Sequence, residues 1–177
     1  ALSALSSSRA EQQKLIVDRH NALRREVKPT ASNMMKMDWC PPAAENAQNW
    51  ANQCTLEHSP PDRRTTTVLC GENLFMSSAP LSWSDVVQSW YNEVKDFEYG
   101  TGAKTEDAKV GHYTQVVWHN SRYVGCGLAF CGNSTYKYFY VCQYCPAGNL
   151  ISSLKTPYTE GEPCGDCPNS CEDGLCS

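Results

Sequence analysis

An α+β fold, with helices layered on both sides of a central antiparallel sheet, is predicted by the order in which two periodicities appear along the chain. Residues 10–97 carry apolar positions at helical spacing, whereas residues 112–145 carry alternating β-branched and aromatic runs. A third observation says what reinforces that α-β-α sandwich. The chain has 11 cysteines in 177 residues, a density that fits disulfides formed in an oxidising compartment and hence secretion.

Taken in order, Ser8-Arg9-Ala10-Glu11 reads as a capping box that opens the first helix. Ile16, His20, Leu23 and Val27 then form one stripe, and Pro29 ends it. A second helix is expected from Pro42-Ala43, with Ala43, Ala47, Trp50 and Cys54 on one side. A third begins near Ser82-Trp83-Ser84-Asp85. Its apolar stripe has two readings. Val86, Trp90 and Phe97 would place Glu93 on the buried face, where a carboxylate needs a partner. Trp83, Val87, Trp90 and Val94 would instead leave Glu93 solvated, the commoner fate of a glutamate.

Strands follow. "HYTQVVW", "YVGCGLAFC" and "YKYFYVCQYC" each alternate, and "GNST" is the turn between the last two. Residues 157–177, with four cysteines in "PCGDCPNSCEDGLC", are too short to bury a core, so crosslinks must order them. The chain therefore divides into a domain at 1–156 and a cysteine-rich tail at 157–177.

Composition narrows the function. The net charge is −4 with no basic block, which disfavours nucleic acid as a partner. No stretch approaches the roughly 18 apolar residues of a transmembrane segment. The start, "ALSALSSSRAEQQ", reads as a mature N-terminus from which a signal peptide has been removed. Asn133-Ser134-Thr135 is a glycosylation sequon.

Strand parity constrains the cysteines. A hairpin centred on Ser134 sets Cys126 opposite Cys142, close enough to bond. Cys131 and Cys145 then point to the other face of the sheet, toward Cys54 and Cys70, and parity leaves both connectivities open. Cys40 is the odd one out, and a buried free thiol, a mixed disulfide or an intermolecular link are its possible states.

Four segments carry a family resemblance. "GHYTQVVWHNS" (111–121) and "YVCQYCPAGNL" (140–150) resemble the two signatures of the CAP superfamily, and "HNALR" (20–24) and "CGENLF" (70–75) resemble its other usual motifs. "CGDCPNSCEDGLC" is similar to the hinge of vertebrate cysteine-rich secretory proteins, and "ASNMMKMDW" and "ENLFMSS" resemble the mammalian reproductive-tract members. In those proteins a six-cysteine channel-regulator domain follows the hinge, and this sequence stops at Ser177, before any such domain. The resemblance implies an α-β-α sandwich and the pairs Cys54–Cys131, Cys70–Cys145, Cys126–Cys142, Cys164–Cys171 and Cys167–Cys176. Cys40 lies outside that pattern.

The resemblance also implies a cleft lined by His58, Glu72, Glu93 and His112. Two imidazoles can ligate Zn²⁺ or a similar divalent cation, with the glutamates holding the outer ring nitrogens. Protons compete for the same nitrogens, so affinity should fall in mild acid. Without a metal, the four residues form a hydrogen-bonded network that orders the cleft. His20 reads as a core residue and His119 as a loop residue. No H-E-x-x-H, G-x-S-x-G or cysteine-protease signature is present, so no catalytic residue is assigned.

The expectation is thus a secreted, non-enzymatic binding protein with no obligatory cofactor. By resemblance it belongs to the male reproductive tract, where its partner is a sperm-surface protein or an ion channel, or gamete interaction is affected. A sterol or lipid carrier and a metal-dependent hydrolase are the rival readings.

Overall fold

The computed structural model describes residues 2–177. A short helix, α1 (Leu2–Leu5), precedes the long α2 (Ala10–Arg25). The expected capping box does not form. Arg9 is the N-cap and makes no side-chain cap bond, while the Ser8 hydroxyl pairs with Ser6. The stripe itself holds: Ile16, His20, Leu23 and Val27 are all buried.

After the two-residue strand β1 (Asp38–Trp39) comes α3 (Pro41–Ala51), started by prolines in its first turn, where a missing N–H costs nothing. Strand β2 (Gly71–Ser77) covers "GENLFMS" and leads to α4 (Trp83–Tyr91). Ser82 caps α4 by accepting from the Asp85 N–H at 3.1 Å. Trp83, Val86, Val87 and Trp90 are all buried, so both expected stripes contribute. The helix then tightens to 3₁₀ over Asn92–Asp96, which re-aims Glu93.

One expectation fails outright. "HYTQVVW" is not a strand. Gly111–Val116 forms α5, preceded by a small hairpin of β3 (Phe97–Glu98) and β4 (Gly102–Ala103). Residues 113–118 are all buried, so there is no solvent face to set a helical period, and the β-branched run mimics alternation.

Strands β5 (Tyr123–Phe130) and β6 (Tyr138–Cys145) form the expected hairpin, with Cys126 opposite Cys142. The main sheet has the order β1-β5-β6-β2. Its three long strands are antiparallel, and β1 adds in parallel to β5. Helices α2, α4 and α5 cover one face around Trp83, Tyr113, Tyr140 and Tyr144. Helix α3 covers the other, over Leu74, Phe139 and Val141. It approaches so closely that a Cβ on Gly125 would strike its backbone at Ala44, and one on Gly127 its backbone at Gln48.

The disulfides tie these layers together. Cys126–Cys142 staples β5 to β6 (S–S 2.01 Å), Cys54–Cys131 joins the end of α3 to the hairpin (2.07 Å), and Cys70–Cys145 joins β2 to β6 (1.92 Å). Cys164–Cys171 and Cys167–Cys176 crosslink the tail, which holds the hairpin of β7 (Cys171–Glu172) and β8 (Leu175–Cys176). Residues 157–177 lie along the 30–36 segment. Met34 O accepts from the Cys176 N–H at 2.7 Å, and Lys36 pairs with Glu172 at 2.6 Å. Cys40 is free and half-buried beside Ala43. Asn133 is exposed in the β5–β6 turn.

Candidate functional site

His58, Glu72, Glu93 and His112, the four residues expected to line a cleft, come from separate elements and form two His–Glu pairs. Glu72 is on β2, the free edge of the sheet, and His58 is in the loop after α3. His58 Nδ1 lies 2.9 Å from Glu72 Oε1. The Glu72 carboxylate also accepts from the Ser59 N–H (2.9 Å), the Ser59 hydroxyl (2.7 Å) and Gln143 Nε2 (3.2 Å). Burial pushes this carboxyl up, but the hydrogen bonds from His58, Ser59 and Gln143 outweigh it and hold the group below the usual carboxylate range. Glu72 is thus a fixed negative charge from mild acid upward.

The second pair joins the 3₁₀ turn after α4 to the start of α5. Glu93 Oε2 is 2.8 Å from His112 Nδ1, and Glu93 Oε1 accepts from the backbone N–H of His112 (2.9 Å) and Tyr113 (3.0 Å). Glu93 therefore takes the partnered, inward arrangement rather than the solvated one. The His112 ring lies nearly parallel to Trp90, with centroids 6.2 Å apart. Its backbone carbonyl accepts from Asn73 Nδ2 at 3.1 Å.

Both pairs are therefore anchored to consecutive residues of β2: His58 through Glu72, and His112 through Asn73. They remain two pairs. Among the described residues, no three His, Cys, Asp or Glu side chains stand close enough to hold a metal ion together. What the arrangement offers is two imidazoles, each with Nδ1 engaged by a carboxylate. A glutamate opposite Nδ1 favours the proton there, which leaves Nε2 bare as a base or a ligand.

Ser59, Asn73, Gln143 and Trp90 are the contributors that sequence reasoning missed or gave to the core. Ser59 directly follows His58, and Asn73 directly follows Glu72. Gln143 becomes visible only with the register, which sets it opposite Glu72 on β6. His20 is fully buried, as its stripe requires, and His119 is in the loop after α5, half-buried.

A family model described as the cysteine-rich secretory protein family, CAP, matches residues 17–144. The chain is 59% identical to cysteine-rich secretory protein 3 of Equus caballus over 176 residues, covering 98% of this chain and 72% of that protein. It is 54% identical to human cysteine-rich secretory protein 2, covering 100% of this chain and 73% of that one. Among solved structures it is similar to NaASP2 with Zn²⁺, at a TM-score of 0.76 and 32% identity over 96% of both chains. It is also similar to BmVAL-1, at a TM-score of 0.75 and 30% identity over 95% and 94%. Among the described residues no helix is long and apolar enough to cross a membrane.

Proposed function

Because this chain belongs to the CAP, or cysteine-rich secretory protein, family, we propose that it is a secreted protein that acts by binding, and that His58 and His112 together take up one divalent cation. The observation that carries the cation reading is the pairing of each Nδ1 with a glutamate, at 2.9 and 2.8 Å. That is the outer-shell arrangement of metal-ligating histidines, with Nε2 the ligand atom. The zinc in the NaASP2 structure, a relative at 32% identity, supports it. With only two protein nitrogens, the ion completes its coordination with water and is held more weakly than in a four-ligand structural site.

Calorimetric titration with Zn²⁺ at pH 7.5 tests this. One ion per chain is expected, with His58→Ala and His112→Ala each weakening binding at least about tenfold and Glu93→Gln by roughly tenfold. Affinity should fall as the pH drops, because protons compete for the imidazole nitrogens. Equal zinc uptake by the double His variant would remove the site.

Binding rather than turnover is supported by where the nearest hydroxyl points. Ser59 Oγ donates to Glu72, not to an imidazole, so neither histidine has a serine to activate among the described residues. The reproductive-tract resemblance suggests a sperm-surface protein or an ion channel as the partner. Patch-clamp recording of sperm channels with this chain checks that reading, and unchanged current at saturating protein counts against a channel partner.

A further inference from the structure

His112 stands at the start of α5. Past the other end of the same helix, a cavity of about 380 Å³ opens between the 118–120 loop and the 150–159 segment. Three aromatic residues contribute to its lining, Tyr99, Trp118 and Tyr158. Two of their polar ends are already satisfied: Tyr99 O–H donates to Tyr158 O at 2.6 Å, and Tyr158 O–H to Pro29 O at 2.7 Å. The Trp118 indole N–H has no acceptor among the described residues, although Trp118 is 2% exposed.

The remaining polar lining has a consistent character. Asn120, Ser153 and Thr156 line the cavity with an amide and two hydroxyls that have no protein hydrogen bond among the described residues. Each group can both donate and accept. Among the described residues no Lys, Arg, Asp or Glu lines the cavity. Its one titratable imidazole, His119, stays neutral at physiological pH, because burial and then the Arg24 charge lower its pKa. Leu150 adds an exposed apolar edge.

A cavity without charge disfavours ions, since a charged ligand would lose its hydration against no counter-charge. One rich in unengaged polar groups disfavours an aliphatic chain or sterol, which would leave those groups unpaired. A ligand matching the lining has hydroxyls around a compact ring and a C–H face for the aromatics. The volume is near the lower end of ligand pockets, which suits one or two such rings. We propose that this cavity binds a neutral hexose unit of a glycan.

The proposal is independent of the cation site. Saturation-transfer NMR on the whole chain, with the methyl glycosides of glucose, galactose, mannose and N-acetylglucosamine, tests it. At least one should give saturable transfer, and the methyl glucuronide should bind more weakly than the glucoside. Asn120→Ala and Ser153→Ala remove side chains near the surface, so both variants should fold. Each should weaken binding by about tenfold, the effect of one or two hydrogen bonds. His112→Ala should leave the signal unchanged. Absence of saturable transfer from all four neutral glycosides, equal binding of the glucuronide, or a full signal in both cavity variants would overturn the assignment.

Discussion

Replacing Arg24 with Met should lower the unfolding free energy by about 3–5 kcal/mol, because it leaves several buried backbone carbonyls without their donors, at about 1–3 kcal/mol for each group left unsatisfied. Arg24 is 1% exposed. Among the described residues it pairs with no carboxylate. Its guanidinium donates instead to four backbone carbonyls: Met35 through Nε and Nη2 (2.9 and 2.8 Å), Val116 and Trp118 through Nη1 (2.8 and 2.9 Å), and His119 through Nη2 (3.0 Å). These carbonyls belong to the end of α5, the loop after it and the segment before β1. One side chain on α2 thus fixes where α5 stops, and with it the start of α5, where His112 sits.

The Met variant fills much of the volume but leaves the carbonyls without those donors. Arg24→Lys keeps the charge, yet one ammonium cannot span the fork of five N–H groups, so it should recover only part of the loss. Urea unfolding read as a midpoint shift at constant m-value measures both variants. A Met variant within about 1 kcal/mol of the parent would mean that water or local relaxation replaces the guanidinium. Because Arg24 holds α5 rather than the cleft directly, zinc affinity should weaken less in Arg24→Lys than in His112→Ala.

How much of this was legible in the sequence depends on what each feature requires. The α2 stripe and the β5–β6 register needed only local periodicity, since side chains recur every 3.6 or two residues whatever they pack against. Parity alone put Cys126 opposite Cys142. The α5 segment was misread for the complementary reason. With Tyr113 to Trp118 buried on every side, no period survives, and packing overrides the β propensity of its valines. Arg24 ends the motif HNALR, but its role was not legible there, because a charged residue beside a stripe reads as solvated until the carbonyls it serves are folded around it. In the site, His58, Glu72, Glu93 and His112 were found by motif. Gln143 needed the β2–β6 pairing, and Asn73 needed α5 to be docked against β2.

His20 should make the protein acid-sensitive well above the range where carboxylates titrate. Its Nδ1 lies 2.8 Å from Ile16 O, an acceptor only, so Nδ1 carries the proton and Nε2 accepts from Tyr144 O–H at 2.7 Å. Burial, and to a smaller extent the Arg24 charge, lower its pKa from 6.5 to about 4, against a raising contribution from the Ile16 bond. The unfolded chain binds this proton near pH 6.5 and the folded chain only near 4. Between those values the unfolded state holds more protons, so stability falls as the pH falls. The contribution is fully present above about pH 6.5 and lost by about pH 4, a total of about 3 kcal/mol. Glu72, with its pKa depressed in the fold, adds a further loss in the same direction, but only below the ordinary carboxylate range. His20→Gln cannot titrate and should flatten the pH 6.5–4 slope of urea-unfolding free energies. His119→Gln, a control for the other lowered histidine, should flatten it less. An unchanged slope in His20→Gln would mean that water reaches the imidazole and that it titrates normally. The consequence for His112 follows from the bonding chain. Tyr144 O also accepts from Asn73 Nδ2 at 3.5 Å, and that same nitrogen donates to His112 O. A proton on His20 Nε2 takes away the acceptor of Tyr144 O–H and forces that hydroxyl to turn, so acid loosens the support behind His112.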